Sequence, residues 1–412
     1  MQTYDYLIIG NSHAAVGCVE GIRSVDKTGT VAVMSGEKYH CYSRPLISYL
    51  LEGKTDLERI KYRPSDFYKK NGVTTMFSTK AEEINPDEKT VLAQGEKVGY
   101  RKLLVAVGSS PFVPPVKGYE TVSKKFTFLE LDSALALKKA LTPKSRVLIV
   151  GAGLIGLKCA EGIYGKCGKI TIVDLAPKVL SSVLDDGGAK IVREHIEKQG
   201  IEFHLGTSVA EFDKKRATLL DGTVIDFDIL VMAVGVRANT ALVAQAGGEV
   251  GRGIITDSTQ KTSLADIYAA GDCTECDDIS CGTRRVLAIL PNAYSQGFTA
   301  GVCMAGGEAK FDKAIPMNSV GFFGLHLVTA GSYTGKCYSD TKDGKYKKLF
   351  YEDNLLKGYI IIGDVSRAGI YTSLIREQIP LDTVDFKLLC ETPALAAFSR
   401  EYRKEKLGGI VK

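Results

Sequence analysis

The sequence predicts an α/β fold built from two strand, glycine-turn and helix units, with a small α+β domain at its C-terminal end. Three observations predict it. The apolar run Val147 to Val150 meets Gly151-x-Gly153-x-x-Gly156, and small and apolar residues then continue with helical spacing past Glu161. A second apolar run, Tyr4 to Ile9, ends at the turn Gly10-Asn11-Ser12-His13-Ala14-Ala15, and a helical pattern follows to about Ser24. After Gly307 the pattern changes to strand-like alternation over residues 312 to 380.

A strand that enters a G-x-G-x-x-G turn and leaves as a helix is the start of a dinucleotide-binding, Rossmann-like βαβ unit. Gly151 makes the tight turn, Gly153 lets a pyrophosphate approach the backbone, and Gly156 lets the helix pack close to its strand. The next apolar run, Ile170 to Val173, ends in Asp174, 23 positions after Gly151. An acid there suits a ribose 2′-hydroxyl. No arginine follows closely to receive a 2′-phosphate, so NADH is expected over NADPH. The first unit is a weaker copy, with Ser12 at the second glycine position and Ala15 at the third. Its second strand, Thr30 to Met34, leads to Glu37, placed to take the ribose hydroxyls of an adenosine. Two such turns imply two dinucleotides, and hence hydride transfer between them.

The remaining elements follow in order. Arg44 and Pro45 offer a planar donor fork on a fixed backbone, suited to a phosphate or a flavin edge. Residues 57 to 100 read as small antiparallel strands, and Tyr100 to Gly108 as a buried strand. Helices are expected over Leu129 to Leu141 and Ala189 to Gly200. Strands are expected at Glu202 to Leu205, Ala217 to Leu220 and Ile229 to Val234, the last ending at Gly235. Asp266 to Asp272 is a short buried strand closed by Gly271-Asp272, whose carboxylate can accept from a ribityl hydroxyl. Pro291 opens a helix that runs to Met304, and its N-terminus carries partial positive charge. Strands are then expected at Ser319 to Leu325, His326 to Tyr333, Tyr346 to Glu352 and Gly358 to Gly363, with a helix at Ala368 to Glu377. The tail from Ala394 to Lys412 reads as a charged helix with a solvated face.

The totals narrow the function classes. The chain has 412 residues, long enough for two or three domains. Its net charge of +5 is small and well mixed, which points away from nucleic acid. No apolar run approaches the roughly 18 residues of a membrane span, and no signal peptide is visible. Ten scattered cysteines read as reduced thiols in a cytoplasm. Three of them, Cys273, Cys276 and Cys281, fall within nine residues. They are either the start of an iron-sulfur or zinc site or the filling of small buried positions. With no fourth ligand at suitable spacing, buried filling is the expectation and no metal is assigned.

Taken together, the motifs Gly10 to Ala15, Tyr42 to Pro45, Ala106-Val107-Gly108, Gly151 to Gly156, Ala233-Val234-Gly235 and Tyr268 to Asp272 resemble those of the FAD-dependent pyridine nucleotide-disulfide oxidoreductases. The resemblance covers nearly the whole chain. It is nearest to the NADH:rubredoxin reductase-like branch and to the flavin portion of NADH-dependent nitrite reductases. It implies two dinucleotide-binding domains of the glutathione-reductase type: a split FAD domain of residues 1–111 and 236–311, and an NAD(H) domain of residues 112–235. A C-terminal α+β domain with a helical tail would occupy residues 312–412.

By the same resemblance, Gly10, Ser12 and Ala15 would cradle FAD, and Glu37 would hold its adenosine ribose. Ala81 would meet the adenine through its backbone, and Arg44 and Pro45 would line the flavin. Ala106 and Gly108 would close the strand end, and Asp272 would bind the ribityl-pyrophosphate region. Gly151, Gly153, Ile155, Gly156 and Asp174 would position NADH, with Gly235 beneath its nicotinamide half. Glu161 falls near the nicotinamide and flavin N5.

Three departures matter. Val107 stands where a threonine is usual. Relatives that reduce ferredoxins carry a lysine near the place of Tyr49, to pair with the glutamate, and none is evident here. The paired or single redox cysteines of disulfide and coenzyme A-disulfide reductases are also missing, since Cys41 falls seven residues before Ser48. The expected function is electron transfer between NAD(H) and a one-electron iron-sulfur acceptor or donor, rubredoxin- or ferredoxin-like. Reduction of oxygen, peroxide or a disulfide, or a non-catalytic flavoprotein subunit, are the alternatives. The assembly expected is a homodimer or a larger complex.

Overall fold

The computed structural model describes residues 1–342 and 344–407. The chain forms two compact units, one of residues 1–182, 196–276 and 284–312, the other of residues 183–195, 277–283 and 313 onward.

The first unit holds both glycine-turn motifs. Thr3–Ile9 pairs in parallel with Val31–Met34 and with Glu96–Val105; Val73–Met76 extends the parallel set on one side and Ile267–Ala269 on the other. Residues 57 to 100 are therefore not all antiparallel: Val73–Met76 is parallel, and only the meander Ala81–Asn85, Thr90–Ala93 and Glu96–Val105 is antiparallel. A second parallel sheet runs in the order Glu202–Leu205, Lys169–Asp174, Arg146–Val150, Ile229–Met232, Lys125–Thr127. Strands such as Val31–Met34 and Ile229–Met232 are buried at every residue, so they read as continuous apolar runs. The α/β class and the two Rossmann-like sheets stand as expected.

Helix His13–Val25 lies against helix Leu290–Met304 with almost no side-chain spacer. A Cβ on Gly17 would overlap the Tyr294 carbonyl oxygen, and one on Gly297 would overlap that of Ala14. Gly21 and Gly301 repeat the arrangement one turn on. The close approach fixes the first glycine turn against the Leu290 helix.

The second unit is an antiparallel sheet in the order Met317–Phe322, Leu325–Gly331, Leu355–Ile362, Lys345–Glu352, Lys336–Lys342, with helices Gly369–Arg376 and Phe386–Glu391. Its α+β class is as expected. Strand Lys336–Lys342 was not expected; it is a polar, mostly exposed edge strand in which only Tyr338 and Asp340 are half-buried. Helix Asp186–Glu197 begins three residues before the expected Ala189, because Asp185 accepts the Gly188 N–H at 2.9 Å and caps it. The same carboxylate accepts from Tyr346 Oη and Lys348 Nζ, each at 2.6 Å. The tail is α-helical only over Arg400–Leu407, after a short 3-10 turn at Leu395–Ala397, and residues 408–412 lie outside the described residues.

Candidate functional site

Gly10 ends the first strand at φ +112°, and a Cβ there would overlap the Ala106 carbonyl. Ala106 N–H donates in turn to Ile9 O at 2.7 Å. Only glycine fits this crossing. Ser12 has φ −120° and ψ −159°, extended backbone much like that of Gly153 at φ −82° and ψ −174°. The serine therefore adds no backbone strain, and the first turn keeps the shape of the second. Ala15 is fully buried in the first turn of the helix. Asn11 braces the loop, donating to Tyr39 O at 3.1 Å and accepting from Tyr68 Oη at 2.5 Å. His13 is buried 3.9 Å from the Tyr62 ring, and burial, with Arg44 and Arg63 nearby, pushes its imidazole down to about 4.

Glu37 and Arg44, given separate roles by the resemblance, are bonded to each other. Arg44 Nη2 pairs with Glu37 Oε1, while Tyr42 Oη donates to Glu37 Oε2 at 2.7 Å. Arg44 also reaches Tyr42 Oη at 3.1 Å and Leu129 O at 3.2 Å. Each Glu37 oxygen keeps lone-pair capacity for a further donor. Pro45 follows in the turn that runs directly into helix Ile47–Glu52. Ala81 is not tied to this group; it lies buried in its strand opposite Ala93.

Gly271-Asp272 follows strand Ile267–Ala269. Gln296, buried on the Leu290 helix, accepts the Gly271 N–H at 2.8 Å and so holds the corner. Among the described residues the half-buried Asp272 carboxylate has no hydrogen-bond partner; burial pushes its pKa up, and the Arg44 charge pulls it back. Asn239 closes the neighbouring corner, donating Nδ2 to Val107 O at 3.0 Å, while its N–H reaches Gly108 O at 3.0 Å.

The second turn repeats the first. Gly151 has φ +118° and crosses Ala233 as Gly10 crosses Ala106. A Cβ on Gly156 would overlap the Gly151 carbonyl oxygen, which is the close helix approach the motif predicts. Ile155 is half-buried in the helix's first turn. Asp174 accepts the Ala152 N–H at 2.5 Å and the Ala176 N–H at 2.7 Å, so its carboxylate is fixed over the turn.

Glu161 is buried on helix Leu154–Ile163, not a surface carboxylate, and it pairs with Lys158. Lys158 Nζ lies 4.7 Å from the centre of the Tyr49 ring, and Lys54 Nζ lies 5.9 Å from it. The expectation of no lysine near Tyr49 is thus overturned. The cation that pairs with the glutamate comes from its own helix, three residues upstream, where a motif search on the Tyr49 segment does not look.

No disulfide joins any of the cysteines among the described residues. Cys41 has no exposed surface, and burial pushes its thiol up to about 12. Cys273 is buried with Sγ on Ala270 O at 3.4 Å, Cys276 is buried, and Cys281 is exposed. No group of three or more His, Cys, Asp or Glu is placed to hold a metal among the described residues.

The residues present fit two dinucleotides. Each turn ends in a helix whose first N–H groups have no side-chain cap, so its positive end faces the turn. Gly108, Gly153 and Gly235 have nothing within 4 Å of where a Cβ would stand, which leaves the backbone open to a ligand. An acid closes each unit's second strand, Glu37 in one and Asp174 in the other.

Fold and site together define an α/β oxidoreductase that binds FAD and a pyridine nucleotide. Residues 4–297 match the pyridine nucleotide-disulphide oxidoreductase family, and residues 316–379 match the rubredoxin NAD+ reductase C-terminal domain. The chain belongs to the pyridine nucleotide-disulphide oxidoreductase family. It is 32% identical over 390 residues to the epsilon subunit of NADH-dependent phenylglyoxylate dehydrogenase of Aromatoleum evansii, covering 91% of this chain and 92% of that one. It is 30% identical to an NADH oxidase of Methanocaldococcus jannaschii, covering 87% of each. Its fold matches putidaredoxin reductase, solved as a covalent complex with putidaredoxin, at a TM-score of 0.86 and 21% identity over 96% of this chain and 98% of that one. It is an enzyme with FAD and NADH as cofactors. No described helix is long and apolar enough to cross a membrane.

Proposed function

We propose that the protein moves electrons between NAD(H) and an iron-sulfur protein of the rubredoxin or ferredoxin kind. The observation that carries this reading is the pair of open, uncapped glycine turns in one compact unit. The rubredoxin reductase match of residues 316–379 directs it toward an iron-sulfur partner. The buried, protonated Cys41 thiol supports it, because a disulfide relay needs an accessible thiolate.

In this reading residues 1–111 and 236–311 hold FAD, residues 112–235 hold NAD(H), and residues 312–412 are the C-terminal α+β domain with its helical tail. The N–H groups after Gly10 and Ser12 bind the flavin nucleotide's pyrophosphate, with Ala15 in the same first turn. Glu37 binds the adenosine ribose with its remaining lone pairs, and Ala81 meets the adenine. Arg44 and Pro45 lie along the flavin, Ala106 and Gly108 line the strand end, and Asp272 accepts from the ribityl chain. Gly151, Gly153, Ile155 and Gly156 hold the NADH pyrophosphate, Asp174 its ribose, and Gly235 its nicotinamide half. Glu161 orients the nicotinamide. When bound, FAD supplies the chemistry, taking hydride from NADH C4 at N5 and releasing electrons singly. The chain supplies position and charge.

The kinship with a dehydrogenase epsilon subunit favours a second reading of direction: the chain serves in a larger complex and passes electrons from iron-sulfur partners to NAD+. The NADH oxidase relative keeps direct reduction of oxygen as the alternative. Either assembly, homodimer or complex, suits a cytoplasm that keeps ten thiols reduced.

An anaerobic NADH titration followed by visible absorption tests the reading. Full bleaching with about one equivalent and no long-wavelength band is expected, followed by rapid reoxidation with rubredoxin or ferredoxin. Consumption of a second equivalent with a charge-transfer band would mean a redox-active thiol pair. Reoxidation by oxygen faster than by either protein would favour the oxidase.

A further inference from the structure

The segment Arg44–Pro45 runs into helix Ile47–Glu52, and that helix packs on helix Leu154–Ile163, which follows the second glycine turn. Gly162 permits the approach: a Cβ there would stand 2.9 Å from Ser48 O and 3.3 Å from Leu51 Cβ. At this crossing Lys158 and Glu161 form an ion pair whose side chains are only 15% and 9% exposed. The Lys158 ammonium lies against the Tyr49 ring at 4.7 Å. A single cation therefore touches both helices, one through a carboxylate and one through an aromatic face. A desolvated ammonium on a ring is held more firmly than an exposed one, and a buried pair is costly to break.

We propose that Lys158 is a positioning residue that sets the register of the nicotinamide-bearing helix against the flavin-bearing segment, by clasping Glu161 and Tyr49 together. The proposal rests on the reading that Leu154–Ile163 serves NADH and Arg44–Pro45 serves the flavin. Hydride transfer is steep in donor–acceptor geometry, so loosening this crossing slows transfer while leaving each nucleotide's own turn intact.

The test is anaerobic stopped-flow reduction of the FAD-loaded protein by NADH. Lys158→Met should lower the limiting reduction rate about tenfold, with the NADH dissociation constant and flavin content within about twofold of the unaltered protein. Lys158→Arg should recover most of the rate, because it restores both the charge and the ring contact. Tyr49→Leu should reproduce the loss, Tyr49→Phe should not, and the Lys158→Met/Tyr49→Leu double variant should be no slower than the slower single. The clasp is overturned by wild-type reduction in Lys158→Met, by independent losses that multiply in the double variant, or by Lys158→Arg behaving like Lys158→Met. If NADH fails to reduce even the unaltered protein, the functional reading fails instead. Normal reduction of both the unaltered protein and Lys158→Met keeps that reading and removes the clasp.

Discussion

A Cβ on Gly17 would overlap the carbonyl oxygen of Tyr294 and stand 2.9 Å from the backbone nitrogen of Phe298. The obstruction is main chain, which cannot rotate away. Alanine at this helical position gains roughly 1 kcal/mol in propensity over glycine, but overpacking of this kind costs about 1–3 kcal/mol, and a backbone clash lies at the upper end. Gly17→Ala is therefore expected to destabilise the protein. The same shift displaces the His13 helix whose N-terminus ends the first glycine turn, so flavin should be lost more readily. Thermal unfolding and the ratio of flavin to protein after gel filtration check it; an unchanged melting temperature would count against the packing argument.

Asp174 gives a prediction that separates the two nucleotides. Its carboxylate accepts from Ala152 and Ala176 and sits in the second sheet. Asp174→Ala leaves both N–H groups without that acceptor and removes the ribose partner, a loss of about 1–3 kcal/mol for a charged hydrogen bond. The KM for NADH should rise about tenfold or more, while flavin content stays unchanged. Loss of flavin with no change in KM would assign the residue to structure alone.

Thiol chemistry divides the cysteines by burial. Cys281 and Cys337 are exposed, Cys337 with its thiol raised by partial burial, whereas Cys18, Cys41, Cys159 and Cys273 are buried with thiols pushed well above their ordinary range. Only thiolate alkylates at a useful rate. Iodoacetamide at pH 8 should label Cys281 and Cys337 in the native protein and spare those four. Peptide mapping reads the result, and Cys41→Ser should leave NADH turnover within about twofold. Rapid native labelling of Cys41 would reopen disulfide chemistry there.

What was legible in the sequence was local. The glycine turns announce themselves because positive φ at Gly10 and Gly151, and the crossings at Ala106 and Ala233, demand glycine at fixed spacing after an apolar run. The buried strands were legible because a parallel sheet covered on both faces has no polar side to interrupt it. The relations that assemble the site were not local. Gly17 and Gly297 are far apart in the chain, and each glycine alone reads only as a weak helix former. The Glu37–Arg44–Tyr42 network joins residues that the motifs assign to different parts of a cofactor. Lys158 and Glu161 have the spacing of an ordinary exposed helix pair, and nothing in that spacing shows that the pair is buried or that Tyr49, from another helix, lies against the Lys158 ammonium. Strand Lys336–Lys342 was missed because Tyr338 is its large apolar residue on the core side and the residues around it are polar or exposed, too little for a period-two signal.

His13 supplies a pH prediction. Its imidazole is held down at about 4, against an ordinary value near 6.5, by burial and by the charges of Arg44 and Arg63. The folded chain then binds this proton only below about pH 4, whereas the unfolded chain binds it below about 6.5. The stability associated with a neutral His13 is fully present above pH 6.5 and is lost as pH falls toward 4, by about 3 kcal/mol in all. A bound nucleotide would add its own charge near this helix end, so the measurement belongs on flavin-free protein. Urea unfolding at pH 7.5 and pH 4.5 should show a drop in stability that His13→Gln reduces by about 2–3 kcal/mol. Equal drops in both proteins would mean that His13 titrates in the folded chain much as it does in the unfolded one, and that neither burial nor the charges of Arg44 and Arg63 hold it down.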